Sequence, residues 1–256
     1  MYSAVHAPGR ESRGRAQVTP LIEHQSRKAA RILDSTRELV LDHGVRKVTV
    51  TEIARVAGVG KGTVYLYWPT KEDLILGLFA RDLLTFLDDA IASVVADPAA
   101  VLPRRFGPLL IRTGLRLPLA RRLYRSEADL LRLFTQQDGY GELLDRTTPS
   151  AMCQAGMPIL HRHRLIRQDR PLLDLTYMVH AVTTGFLTAI ADPDAAPPGP
   201  ADPDAVLADT LAQLLDPPAA PEGPAIAAAG AETIEVMREI REAVLELIDR
   251  SQTPQQ

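Results

Sequence analysis

Apolar residues in this chain recur at intervals of three and four almost throughout, and that pattern excludes most folds. From Ser26, Ala29, Leu33 and Val40, with Thr36 among them, follow it until Gly44 stands as a helix stop. Ile75, Phe79, Leu83, Phe86, Ala90 and Val94 follow it over a longer stretch that ends before Pro98. In the middle of the chain Leu123, Leu130, Leu131 and Phe134 make one face, and Leu172, Leu175, Val179, Val182, Phe186 and Ile190 another. Ile234, Met237, Ile240, Val244, Leu247 and Ile248 mark a last helix over about 225–250. Alternating β-branched residues, the sign of a half-buried strand, never persist; Val48-Thr49-Val50 is too short. The expected fold class is all-α.

Breaks in the pattern divide the chain. Residues 1–23 are polar and unpatterned and read as a flexible arm. Thr49 with Glu52, and Thr70 with Asp73, have the spacing of capping boxes, so helices are expected to open there. Pro103, Pro108, Pro118, Pro149, Pro158 and Pro171 interrupt the middle. Nine prolines between Pro193 and Pro224 read as linker around one short helix over 205–215. The expected organisation is an arm over 1–23, a three-helix domain over 24–84 and a larger helical domain over 85–216. A Pro-rich linker and an extra helix follow over 217–256.

The net charge of −3 over 256 residues conceals unlike segments. Residues 1–73 carry twelve Lys and Arg against eight Asp and Glu, a net +4. Residues 74–190 carry a net +3, and residues 191–256 a net −10. A basic working face near the N-terminus is therefore expected, with the acidic end read as a solvated helix and linker. The single cysteine, Cys153, permits no intrachain disulfide and reads as a small buried hydrophobe. No apolar run is long enough to span a bilayer, and residues 1–20 lack the apolar core of a secretion signal, so no membrane partner and a cytoplasmic location are expected.

The segment over 49–68 reads TVTEIARVAGVGKGTVYLYW. Ile53, Ala54 and Ala57 give a short helix a small apolar face, and Gly58 falls where the chain must turn through positive φ. A second short helix begins near Gly60, with Val59 and Val64 directed inward. Close crossing, a sharp bend and an apolar lock are what a helix-turn-helix requires.

Two stretches, Ile53 to Gly62 and Thr63-Val64-Tyr65-Leu66-Tyr67-Trp68-Pro69-Thr70-Lys71-Glu72-Asp73-Leu74, resemble the signature of the TetR family (tetracycline-repressor-like transcriptional regulators). The resemblance covers about residues 26–80. Gly60 stands where that family usually has a serine N-cap, and Trp68 where it usually has phenylalanine. In a helix-turn-helix the second helix enters the major groove by its N-terminal end, which places Lys61, Gly62 and Thr63 nearest the base edges. Lys61 suits guanine O6 and N7, the Thr63 methyl suits thymine, and Gly62 allows close backbone approach. The resemblance implies phosphate or base contacts for Tyr65 and Tyr67; Tyr65 has a core reading as well, and Trp68 is read as core. Lys71, Thr51, Arg27 and Lys28 are phosphate candidates.

The resemblance further implies a homodimer on a palindromic DNA operator, repression, and release by a small-molecule effector bound among the middle helices. Ala181, Gly185 and Ala189 recur every four residues beside Val179, Val182 and Phe186, so these six are the expected dimer interface, on a bundle of 171–191 and 204–215. The final helix is expected to cap that bundle or extend the interface. Arg112, Arg116, Arg121, Arg122, Arg125 and Arg132 read as solvated faces, with an anionic effector as the other reading. His161 and His163 are two apart, which does not place both on one helix face, so interhelix roles are expected rather than a metal site. No cofactor is expected. The alternative of a helical enzyme with an accessory DNA-binding domain finds no G-x-S-x-G, H-E-x-x-H, P-loop or dinucleotide fingerprint.

Overall fold

The computed structural model describes residues 21–119, 121, 149–196 and 198–252, and among these every regular element is helical. Helix α1 (Ile22–Gln25) is a single turn. Its Ile22 is buried, and its Glu23 carboxylate takes both Nε and Nη2 of Arg81, at 2.6 and 2.7 Å. Residues 21–23, inside the stretch expected to be a flexible arm, are therefore part of the packed structure; residues 1–20 lie outside the described residues. Helix α2 (Arg27–His43) is capped by Ser26, whose Oγ accepts from the Ala29 N–H, and it ends at Gly44 with φ 83°. Helix α3 (Val50–Val56) is capped by Thr49, whose Oγ1 accepts from the Glu52 N–H at 3.2 Å. Helix α4 is Lys61–Tyr67.

Helix α5 (Lys71–Ala96) runs for 26 residues from a cap at Thr70. The sequence predicts a single stripe through Ile75, Phe79, Leu83 and Phe86, but Leu74, Leu78, Leu84 and Leu87 are buried as well. The reason is that α5 is enclosed from two sides. The N-terminal helices pack on it, and so does the last helix of the chain.

A 3₁₀ turn (Pro98–Val101) leads into α6 (Pro103–Arg116), and the chain continues in α7 (Pro149–Arg162), α8 (Leu172–Ala191) and α9 (Pro203–Leu215). Leu123, Leu130, Leu131 and Phe134, expected to form one face, lie outside the described residues. Helices α6 and α9 touch closely at Gly107: a Cβ there would come within 2.3 Å of Leu211 Cδ1. The last helix, α10 (Gly223–Arg250), spans 28 residues. It packs chiefly along α5 rather than capping the pair α8–α9. Its Ile240, Val244, Leu247 and Ile248 join the core of the N-terminal domain, while Ala229 joins the second core built from α6 to α9. At its far end the buried Ser251 sits over Gly77 of α5, where a Cβ would lie 2.8 Å from the serine Oγ.

Candidate nucleic-acid interface

Helices α3 and α4 are locked as a unit. The turn between them passes through Gly58 with φ 63°, and the Val59 N–H reaches back to the Ala54 carbonyl at 2.9 Å. Ile53, Ala54 and Ala57 from one side, and Val64 from the other, are buried in the crossing. Trp68 follows α4 and is fully buried, as expected of a core aromatic. Gly60 caps α4 with extended backbone and no side-chain hydrogen bond, so the Thr63 N–H is met only by the Gly60 carbonyl at 2.9 Å.

With Val64 inward, α4 presents Lys61, Gly62, Tyr65 and Leu66 to solvent, and Thr63 is half-buried. Lys61 Nζ lies 5.9 Å from the centroid of the Tyr65 ring, a weak cation–π contact that holds both polar tips on one file of the helix. Arg27 and Lys28 are exposed on the first turn of α2, and Thr51 on the first turn of α3. Exposed N-terminal turns offer backbone N–H groups as well as charge to phosphate.

Two expected contact residues are engaged elsewhere. Lys71 Nζ donates to the carbonyls of Val45 and Val48, at 3.1 and 3.0 Å, and so ties the start of α5 to the loop between α2 and α3. Two of its three ammonium N–H groups thus face loop carbonyls, while Lys71 keeps its place at the exposed start of α5 as a phosphate candidate. The Tyr67 hydroxyl lies 2.8 Å from Ser26 Oγ, the cap of α2, and its ring packs 5.7 Å from Trp68. Tyr67 braces the domain from the side of α4 turned away from Tyr65. Leu66 lies outside the expected set, although the inward Val64 already implied that position 66 turns outward.

The six residues expected at a dimer interface fall on opposite faces of α8. Val179 is buried, and Val182 and Phe186 pack against the second core of the same chain. Ala181, Gly185 and Ala189 are exposed, on the file that also carries Leu173 and Tyr177, 80% and 73% exposed. The spacing explains the split. Positions 179, 182 and 186 share one side of a 3.6-residue helix, and 173, 177, 181 and 185 the other.

Other expectations are met by ordinary side-chain partners. His163 Nε2 lies 2.9 Å from Glu232 of α10, and Arg162 pairs with the same carboxylate, an interhelix role. These partners hold the Glu232 carboxyl below its usual range. Arg112 pairs with Asp204 at 3.3 Å, Arg116 and Arg121 are exposed, and Arg122, Arg125 and Arg132 lie outside the described residues. Cys153 is half-buried against the second core, and burial pushes its thiol pKa up, away from reactive thiolate character.

Comparison with known proteins agrees with this geometry. Residues 32–78 match the family described as bacterial regulatory proteins, tetR family. Over 61 residues the chain is 36% identical to the fatty acid metabolism regulator protein of Bacillus subtilis (strain 168), covering 24% of this chain and 31% of that protein. Over 95 residues it is 35% identical to the HTH-type transcriptional regulator BetI of Rhizobium meliloti (strain 1021), covering 37% of this chain and 44% of that one. The match thus spans less than half the length of these two relatives. The solved structure of the flavonoid-responsive regulator FrrA superposes with a TM-score of 0.51 at 20% identity, over 75% of this chain and 99% of that one, which shows a shared fold. No helix among the described residues is long and apolar enough to cross a membrane. In its helix order, its locked turn and the match over residues 32–78, the N-terminal part of this chain is similar to the tetR family of bacterial regulatory proteins.

Proposed function

We propose that this protein is a sequence-specific transcriptional regulator, a repressor that binds a palindromic DNA operator as a homodimer and is released by a small molecule. The observation that carries the reading is the outward face of α4. Lys61, Gly62, Tyr65 and Leu66 are exposed together, on a helix whose inner side is fixed by the buried Val64 and Trp68 of a tetR-family domain. Rigid presentation of a few side chains is what base readout demands. Pairing is supported by the exposed file of Leu173, Tyr177, Ala181 and Gly185 on α8, an apolar strip that a second copy would cover. The effector is assigned to the domain over 85–216, which α5 joins directly to the reader; a ligand acts there by favouring one placement of α5 over another.

Selection of bound sites from random double-stranded DNA tests the reading. The expected outcome is enrichment of a two-fold symmetric sequence, bound about a thousandfold more tightly than random DNA at physiological salt. Equal affinity for every sequence would overturn it.

A further inference from the structure

Leu66 is 68% exposed, more than any other large hydrophobic over residues 24–84, and it stands on the outward face of α4 near its C-terminal end. It has no freedom to turn inward. Val64 is 1% exposed and Trp68 fully buried on the opposite side, and the Tyr67 hydroxyl is fixed 2.8 Å from Ser26 Oγ, so the rotation of the helix is set. The outward face has two files, Lys61 with Tyr65 and Gly62 with Leu66, each four residues apart. Around Gly62 a Cβ would meet nothing within 4 Å, so bare backbone lies one turn ahead of Leu66. The face is low there, and the leucine is its apolar projection.

We propose that Leu66 is a specificity-determining residue that reads the C5-methyl group of a thymine in the major groove; this rests on the reading of α4 as the base-contacting helix. Leucine has no donor or acceptor, so it gains nothing from phosphate or from most base edges. The thymine methyl is the one apolar group that the major-groove edges present. Seating an exposed leucine on it removes apolar surface of both partners from water. Thr63, nearer the N-terminal end of α4, also carries a methyl and is half-buried, so the two methyl-bearing side chains have to be told apart by substitution.

Deoxyuridine provides the test, because it differs from thymidine only by that methyl. In the operator enriched from random DNA, each thymidine is replaced in turn and the Kd is measured by fluorescence anisotropy. One position per half-site is expected to lose about fourfold in affinity, the ratio for one methyl-sized group buried. Leu66→Ala, which removes no buried contact and should keep its helical circular dichroism, is expected to bind the thymidine and deoxyuridine operators alike. Thr63→Ala is expected to retain the discrimination. An operator without a sensitive thymidine overturns the inference alone, as does full sensitivity in Leu66→Ala or its loss in Thr63→Ala instead. Enrichment of no sequence overturns the regulator reading and this inference with it.

Discussion

Lys61 and Lys71 carry the same charge into different surroundings. Lys61 projects from the first turn of α4 beside the Tyr65 ring, whereas the Lys71 ammonium is held by the Val45 and Val48 carbonyls. Lys61→Ala is expected to relax base preference at one position per half-site and to leave unfolding unchanged, read by repeating the DNA selection and a thermal melt. Lys71→Met is expected to behave in the opposite way. Two half-buried carbonyls lose their charged donor, so urea unfolding should show a loss of about 1–3 kcal/mol. An intact Tm in Lys71→Met would show that the ammonium is not structural. Tyr67 sorts with Lys71, since its hydroxyl meets the cap of α2. The sequence made these residues legible as a group, because aromatic and basic residues cluster around the turn. It could not separate reader from brace: that depends on which loop carbonyl or cap oxygen comes within 3 Å, a product of tertiary packing.

Two ion pairs join α5 to the helices before it, and they respond to acid in opposite directions. Burial raises the Glu23 carboxyl, but the hydrogen bonds and charge of Arg81 outweigh it and leave the pKa lowered. Burial raises Asp82 and prevails there. Arg37, at 2.6 Å from Oδ1, and the backbone N–H of Leu119 oppose it only partly. A lowered folded pKa contributes stability above the ordinary value, 4.5 for Glu23, that is lost as pH falls through the folded one. A raised folded pKa contributes stability below the ordinary value, 3.8 for Asp82, that is lost as pH rises through the folded one. The cost of Glu23→Gln should therefore grow with pH, and the cost of Asp82→Asn should shrink, in urea titrations over about pH 3 to 6. Parallel slopes would contradict the assignment. At this scale, helix starts were legible because Ser26, Thr49 and Thr70 cap as their spacing implies. The burial of α5 on several sides was not, because local periodicity does not record that a helix distant in sequence returns to cover its second face.

The molecule as a whole is organised by that returning helix. Its α10 carries six carboxylates against three arginines and ends with Ser251 over Gly77, so a net −3 of the −10 of residues 191–256 runs back along α5. Both cores include residues of α10, which ties the helices of the N-terminal core to those of the second core. Ile248→Ala, at the reader end, is expected to cost about 2–5 kcal/mol and to speed amide exchange in α2–α4; exchange unchanged there would mean that α10 is dispensable to the reader. Assembly is decided on a different surface, which makes the two questions separable. On α8 the exposed file through Ala181 is available to a second copy, while Val179 belongs to the chain's own core. Ala181→Arg places an unpaired charge in the middle of that apolar strip without touching the core. Light scattering should then report one chain where the parent reports two, with the thermal melt of the monomer still cooperative. Val179→Ala should lower the Tm and leave the mass at two chains. If Val179→Ala separates the chains and Ala181→Arg does not, the dimer surface is not the outward face of α8, and the spacing of half-sites cannot be set by it.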